Sequence, residues 1–266
     1  MSTLSLLPVF TASIFLDRIK KGGSTYPWLI GVEDENDLHP YVVKLFKTNH
    51  VNDAYAVSRE VFGNVLAREF DLLVPKCAFI EIDDEFINEL SDDLQEEIRS
   101  KDERIKFGSK YIEGAATFTQ SLHKHSLESY MIEDIYAFDH LIYNIDRKNL
   151  KPNILFHENE SYLIDHELSF NVNKTVIDLF NDDKLLYDSK KHIFYDYLSK
   201  KGRKDHYFST FHEYLRNLNL GVLDPYIKQL ASFDHPMGDM DTIAEYLHNI
   251  KSNSSKFISV LRKTFA

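Results

Sequence analysis

The chain has 266 residues, 43% of them hydrophobic, with 19 Phe and 15 Tyr. That is enough apolar side chain to bury the core of one large domain or two closely packed lobes, and it excludes a disordered chain. A formal net charge of −11 argues against non-specific nucleic-acid binding, and a single cysteine, Cys77, excludes an internal disulfide and fits a reducing compartment.

No stretch approaches the ~18 apolar residues of a membrane helix. The opening MSTLSLLPVF lacks a basic leader, so the sequence predicts a cytoplasmic protein with no direct nucleic-acid or membrane partner. Ten acidic residues between Asp83 and Glu103, against Arg99 and Lys101, hold most of the negative charge. They read as the solvated face of a helix.

In chain order, Thr11–Leu16 and Trp28–Val32 are short apolar strands joined by a glycine-containing turn over residues 20–25. Tyr41–Phe46 is a β-branched and aromatic strand. Asp53–Phe70 reads as a helix, with Asp53 as N-cap and Val57, Val61 and Val65 recurring at helical spacing. Leu73-Val74-Pro75 stops it. Cys77–Ile82 is a strand, the acidic helix follows, and Gly108–Ile112 is a further strand that ends at Gly114.

The second half is mostly helical. Glu128–Tyr143 is apolar on most faces and reads as a buried helix. Ile154–Phe156 and Tyr162–Ile164 form a hairpin around residues 157–160. Further helices fall near Tyr207–Leu218, Pro225–Leu230, Asp241–Ile250 and Ser254–Thr264, with Asp224 as a cap and Pro225 in the first turn. A strand-rich first half before a helix-rich second half predicts an α+β fold of two lobes, residues 1–115 and 116–266, with a cleft between them.

The chemistry concentrates in Ile145–Phe170. Asp146 follows the buried helix, Asn153 lies seven residues on, and Asp165 closes the apolar run Tyr162-Leu163-Ile164. That order suits phosphoryl transfer from ATP. One carboxylate orients the attacking hydroxyl, while an amide oxygen and a second carboxylate ligate Mg²⁺. Asn149 is the weaker alternative for the amide ligand. Arg147 and Lys148 are placed to meet charge on the γ-phosphate.

Upstream, Lys44 is the lone polar residue of VVKLF and reads as a contact for the α- and β-phosphates, with Glu60 on the following helix as its partner. Gly22, Gly23 and Ser24 form a turn whose backbone N–H groups can approach phosphate oxygens. Other chemistries lack support: His123 and His125 have no third ligand at metal spacing, and HExxH, GxSxG and paired CxxC patterns are absent.

These blocks resemble the HipA-like kinases of bacteria, in particular their short single-domain members. The resemblance runs from about Gly22 to Phe170, through VVK with Lys44, NVLAREFDLLVPK (residues 64–76), FGSKYIEG (107–114) and FDHLIYNIDR…PNILF…YLIDHE. It implies a two-lobed, protein-kinase-like fold, with a strand-rich N-lobe and helical C-lobe, that binds ATP and Mg²⁺. It also implies serine/threonine protein phosphorylation by a toxin-type regulator, acting on an aminoacyl-tRNA synthetase or other translation factor and restrained by a separate antitoxin protein. The family's base falls on Asp146, its metal ligands on Asn153 and Asp165, and its nucleotide lysine on Lys44.

Three departures stand out. Lys151-Pro152-Asn153 replaces an Asn-Pro-Asn pattern. The N-terminal subdomain of longer members has no room in the 43 residues before Lys44, so it is absent or comes from another chain. The regulatory serine of some members has no secure counterpart beyond Ser24 or Thr25. A small-molecule or lipid kinase, and a nucleotide-binding pseudokinase, are the alternatives the same residues allow.

Overall fold

Five strands close into a barrel in the order β1-β2-β3-β5-β4. They are β1 (Val9–Arg18), β2 (Trp28–Asp34), β3 (Asp37–Val43), β4 (Cys77–Glu81) and β5 (Lys106–Lys110). Neighbours are antiparallel except at the closure, where β1 runs parallel to β4 with Val9 opposite Phe79 and Thr11 opposite Glu81. Closing the ring removes the exposed edges that an open sheet would leave. The computed structural model describes residues 6–19, 26–34, 37–119, 127, 130–185, 188–201 and 206–265.

Alternation along the strands builds one core. Trp28, Ile30 and Val32 of β2 bury alternate positions and pack with Tyr41, Val43, Ala78 and Ile80. Two helices add to that cluster, α3 (Asp84–Glu89) through Phe86 and α4 (Asp92–Arg99) through Leu94 and Ile98. The acidic stretch is therefore two helices rather than one, broken at Leu90-Ser91. Asp83 caps the first by accepting the Phe86 N–H at 2.8 Å. Arg18 of β1 pairs with Asp93 and Glu97 of α4 at 2.9 and 2.7 Å.

The helix expected from Asp53 also starts later. Asp53 closes a short helix, α1 (Thr48–Asn52), by donating its N–H to the Asn49 carbonyl at 2.9 Å. Tyr55, at φ +54°, turns the chain into α2 (Ala56–Glu69). Val57, Val61 and Val65 are buried as their spacing predicts, but so are Phe62, Leu66 and Ala67 on other faces.

Contacts divide the chain into two units. The first comprises residues 1–64, 75–114 and 223–238, and the second residues 65–74, 115–222 and 239–266. The late segment of the first unit carries α9 (Asp224–Ser232), in which Asp224 is the first helical residue and Leu223 takes the cap position. Asp224 thus lies inside the helix rather than before it.

In the second unit a small sheet, β6 (Ala116–Thr117), β7 (Ile154–His157) and β8 (Glu160–Leu163), runs antiparallel throughout. Its hairpin is tighter than the sequence predicts, with His157 opposite Glu160 across Glu158-Asn159. The buried helix is α5 (Ile132–Leu141), and Tyr143 at φ +53° turns the chain away after it. The helices α6 (Lys174–Asn181), α7 (Tyr195–Lys200), α8 (Ser209–Asn217), α10 (Met240–Ser252) and α11 (Ser254–Lys263) complete the unit. The first two are too short to leave a sequence period.

Aromatic packing holds these helices together. Fully buried Phe70 stacks on Phe211 of α8 at 4.4 Å between ring centres and meets Phe138 of α5 at 5.7 Å. Phe70→Ala removes the shared ring and is expected to cost about 3–5 kcal/mol. Urea unfolding followed by circular dichroism measures it, and a loss under about 1 kcal/mol would contradict this packing.

Candidate functional site

In the first unit β3 ends at Val43, so Lys44 sits just past the strand rather than inside it. Its N–H still reaches the Phe107 carbonyl of β5 at 3.1 Å. Its ammonium forms an ion pair with Glu60 of α2. Glu60 is buried, and the Lys44 side chain is 14% exposed. The structure thus brings together the lysine and glutamate that the sequence pairs. Gly22, Gly23 and Ser24, the third part of the expected nucleotide site, lie outside the described residues.

In the second unit Asp146, buried at 8% exposure, lies beyond α5. One of its oxygens, Oδ2, faces Asn153 Nδ2 and Lys151 Nζ, both at 3.4 Å. Asn153 enters β7 and Asp165 leaves β8. The Ile164 N–H donates to the Asn153 carbonyl at 3.1 Å, which fixes Asp165 one residue from that bond. Asn153 and Asp165 both take left-handed backbone, φ +49° and +65°. Short polar side chains tolerate that region, and β-branched residues do not.

The loop between Asp146 and Asn153 is a tight turn. Lys148 and Lys151 exchange two backbone hydrogen bonds of 3.0 Å, leaving Asn149 and Leu150 exposed at its tip. Of the two asparagines, Asn153 is the one whose amide faces Asp146. Its nitrogen points there, so its oxygen is the atom left for a cation. Glu167, passed over in the sequence, brings a carboxylate oxygen within 4.8 Å of one on Asp165. Two carboxylates and an amide oxygen are the hard donors that Mg²⁺ takes.

Arg147 does not reach toward a phosphate as the sequence predicts. Its side chain is fully buried, and Nε donates to Asp139 Oδ2 at 2.6 Å. Nη1 donates to the Asn153 carbonyl. Lys148 is half-buried, and its backbone bridges both Lys151 and His192. The arginine is turned inward because Asp139, on the buried helix α5, needs a counter-charge where water cannot supply one.

Asp139 gathers three donors: Arg147, the Asn144 amide on Oδ1 at 3.0 Å, and His192 Nε2 on Oδ2 at 2.9 Å. Burial pushes its carboxyl up, but Arg147 and His192 outweigh that and hold it at about 2. His192 is a neutral donor, since its Nδ1 accepts the Phe194 N–H at 3.2 Å. Burial lowers its pKa, and burial together with His192 lowers His140 to about 3. His140 sits beside it, donating from Nδ1 to the Tyr136 carbonyl at 2.7 Å and meeting Ser189 Oγ at 3.0 Å. Asp139 had one sequence signal, an acid on a helix that is apolar on most faces. His192 had none.

A family profile described as HipA-like kinase matches residues 14–225. A crystal structure of the Helicobacter pylori proinflammatory kinase CtkA is similar over 97% of this chain and 97% of that one, with 16% identity and a TM-score of 0.50. At that identity the likeness speaks for the fold. No curated protein matches the sequence.

The buried histidines make stability depend on pH. His140 and His192 have folded pKa values below the ordinary 6.5, and His235 of the first unit is lowered to about 4 by burial. Their contribution is fully present above pH 6.5 and is lost as the pH falls through the depressed folded values. Each histidine costs at most about 1.4 kcal/mol per pH unit in that window. Asp134, pushed up to about 6 by burial, protonates in the folded state and offsets one of the three. Thermal unfolding is expected to show a midpoint that falls between about pH 6.5 and 4, with net proton uptake on unfolding. A flat midpoint there would show that these rings are not held neutral.

Proposed function

Because the chain belongs to the HipA-like kinase family, we propose that it transfers the γ-phosphoryl group of ATP to a serine or threonine hydroxyl of a protein substrate. The observation that carries this reading is the approach of Asp146 to Asn153 at 3.4 Å, with Asp165 one residue beyond the Ile164–Asn153 backbone bond. A base and two oxygen donors are thereby ordered on one loop and one hairpin.

Asp146 is the base. Its two contacts are long, so the carboxylate is lightly held and free to accept a shorter bond from the acceptor hydroxyl, whose proton it takes as the new O–P bond forms. Asn153 and Asp165, with Glu167 beside them, would hold Mg²⁺, which when bound supplies positive charge to the phosphate oxygens. Lys44, oriented by Glu60, binds phosphates of the nucleotide. Lys148 supplies further positive charge at the transferred group, a role that Arg147, turned inward, does not share. In this reading the barrel unit plays the part of a kinase N-lobe and the helical unit that of a C-lobe.

The protein is further proposed to act in the cytoplasm as a toxin-type regulator. Its substrate would be a component of the translation machinery such as an aminoacyl-tRNA synthetase, and a separate protein would restrain it. What supports this is family membership. Growth arrest on expression of the wild type, relieved in Asp146→Ala, is the expected sign.

The direct test is incorporation of ³²P from γ-labelled ATP in cell lysate, followed by mass spectrometry of the labelled proteins. Asp146→Ala and Asp165→Ala are each expected to lower transfer by at least about 10³-fold, with ATP binding retained in the first. Equal labelling by wild type and Asp146→Ala would remove Asp146 as the base. Label found on a small alcohol and never on protein would replace the protein-substrate reading.

A further inference from the structure

The structure assigns Asp139 and His192 as positioning residues that set the register between Asp146 and Asn153. The assignment rests on the reading of those two residues as base and metal ligand. Asp139 is fully buried, and each of its oxygens leads to a different side of the site. From Oδ1 the path runs through the Asn144 amide, whose Oδ1 accepts the Asp146 N–H at 3.2 Å. From Oδ2 it runs through Arg147 to the Asn153 carbonyl. That carbonyl also accepts the Ile164 N–H, so the residue before Asp165 is tied to the same point. The backbones of all three proposed active residues therefore refer back to one carboxylate.

His192 comes from a distant segment and closes the arrangement. Its Nε2–H takes the remaining approach to Asp139 Oδ2, and the Phe194 N–H fixes the tautomer. The next residue, Ile193, donates its N–H to the Arg147 carbonyl at 3.1 Å. Arg147 is thus held on its side chain through Asp139 and on its backbone through Ile193. An apolar cluster of equal volume would stabilise a helix junction at least as well as a buried ion pair. What it could not do is point hydrogen bonds at two chosen backbone atoms, and an error of about 1 Å in such placement costs on the order of 10²-fold in rate.

His192→Leu keeps the volume and removes the donor, whereas His192→Gln returns an amide N–H near the Nε2 position. For the full chain, kcat and KM for ATP are measured, together with hydrogen exchange at the Ile164 amide. The Leu variant is expected to lose about 10- to 100-fold in kcat with KM for ATP within about threefold, and to exchange Ile164 faster. The Gln variant is expected to recover most of both. A Leu variant with wild-type kcat and wild-type protection overturns the assignment. So does a Gln variant no better than Leu, since packing rather than the donor would then be at issue. Should the Leu variant fail to fold, Asp139→Asn, which keeps the size and turns a donor toward Asn144 or Arg147, is read in the same way. If the wild type transfers no phosphate, the proposed function fails and Ile164 exchange alone decides the positioning claim.

Discussion

One buried carboxylate sets the terms for the second unit. Taking Asp139 out of water costs several kcal/mol unless its oxygens are met by well-placed donors. Three donors meet them, from Asn144, Arg147 and His192. Each comes from a stretch without regular helix or strand, and each is fixed by this requirement. The end of α5, the turn after Asp146 and the segment before α7 share one geometric condition. The loop from Asp146 to Asn153 is ordered from below, by an ion pair that never sees solvent.

The first unit solves a comparable problem differently. A five-stranded ring has no edge to spare, and α2 presents Glu60 beside the residue that follows β3. Lys44 lies where the ladder gives out, still tied to β5 through its own N–H. A lysine at a strand end keeps a long, mobile stem, and the buried carboxylate of Glu60 narrows where its ammonium can go. The closed sheet fixes the root of the side chain through the Lys44 N–H, and the helix fixes its tip through Glu60.

Two features of the candidate site depart from ordinary backbone. Asn153 and Asp165 both sit at positive φ, a conformation that costs on the order of a kcal/mol for residues other than glycine. Both flank the short hairpin of β7 and β8, and the Ile164–Asn153 bond closes its open end. The strain is held in place by the same carbonyl that Arg147 grips. A local cost is accepted where a side chain must leave a strand at a fixed angle.

How much of this was legible in the chain follows from how local each signal is. The short strands, the apolar helix around Phe138 and the late helices are periodic, so their existence could be read within a few residues. Boundaries set by turns could not. Asp53 and Asp224 look like caps in sequence, yet one ends a short helix and the other starts inside one, because the neighbouring turns decide. The order Asp146, Asn153, Asp165 was visible because loop and hairpin are contiguous. The partnership of Lys44 with Glu60 was visible because strand and helix are consecutive. Sequence alone determined the family, the polar residues that carry its pattern and the mixed strand-then-helix character. Only the tertiary structure turned Arg147 inward, recruited His192 from 53 residues beyond Asp139, closed the barrel and returned residues 223–238 to the first unit. The physical reason is that desolvating a charge, or pairing a last edge strand, constrains groups far apart in the chain. Neither demand leaves a local pattern.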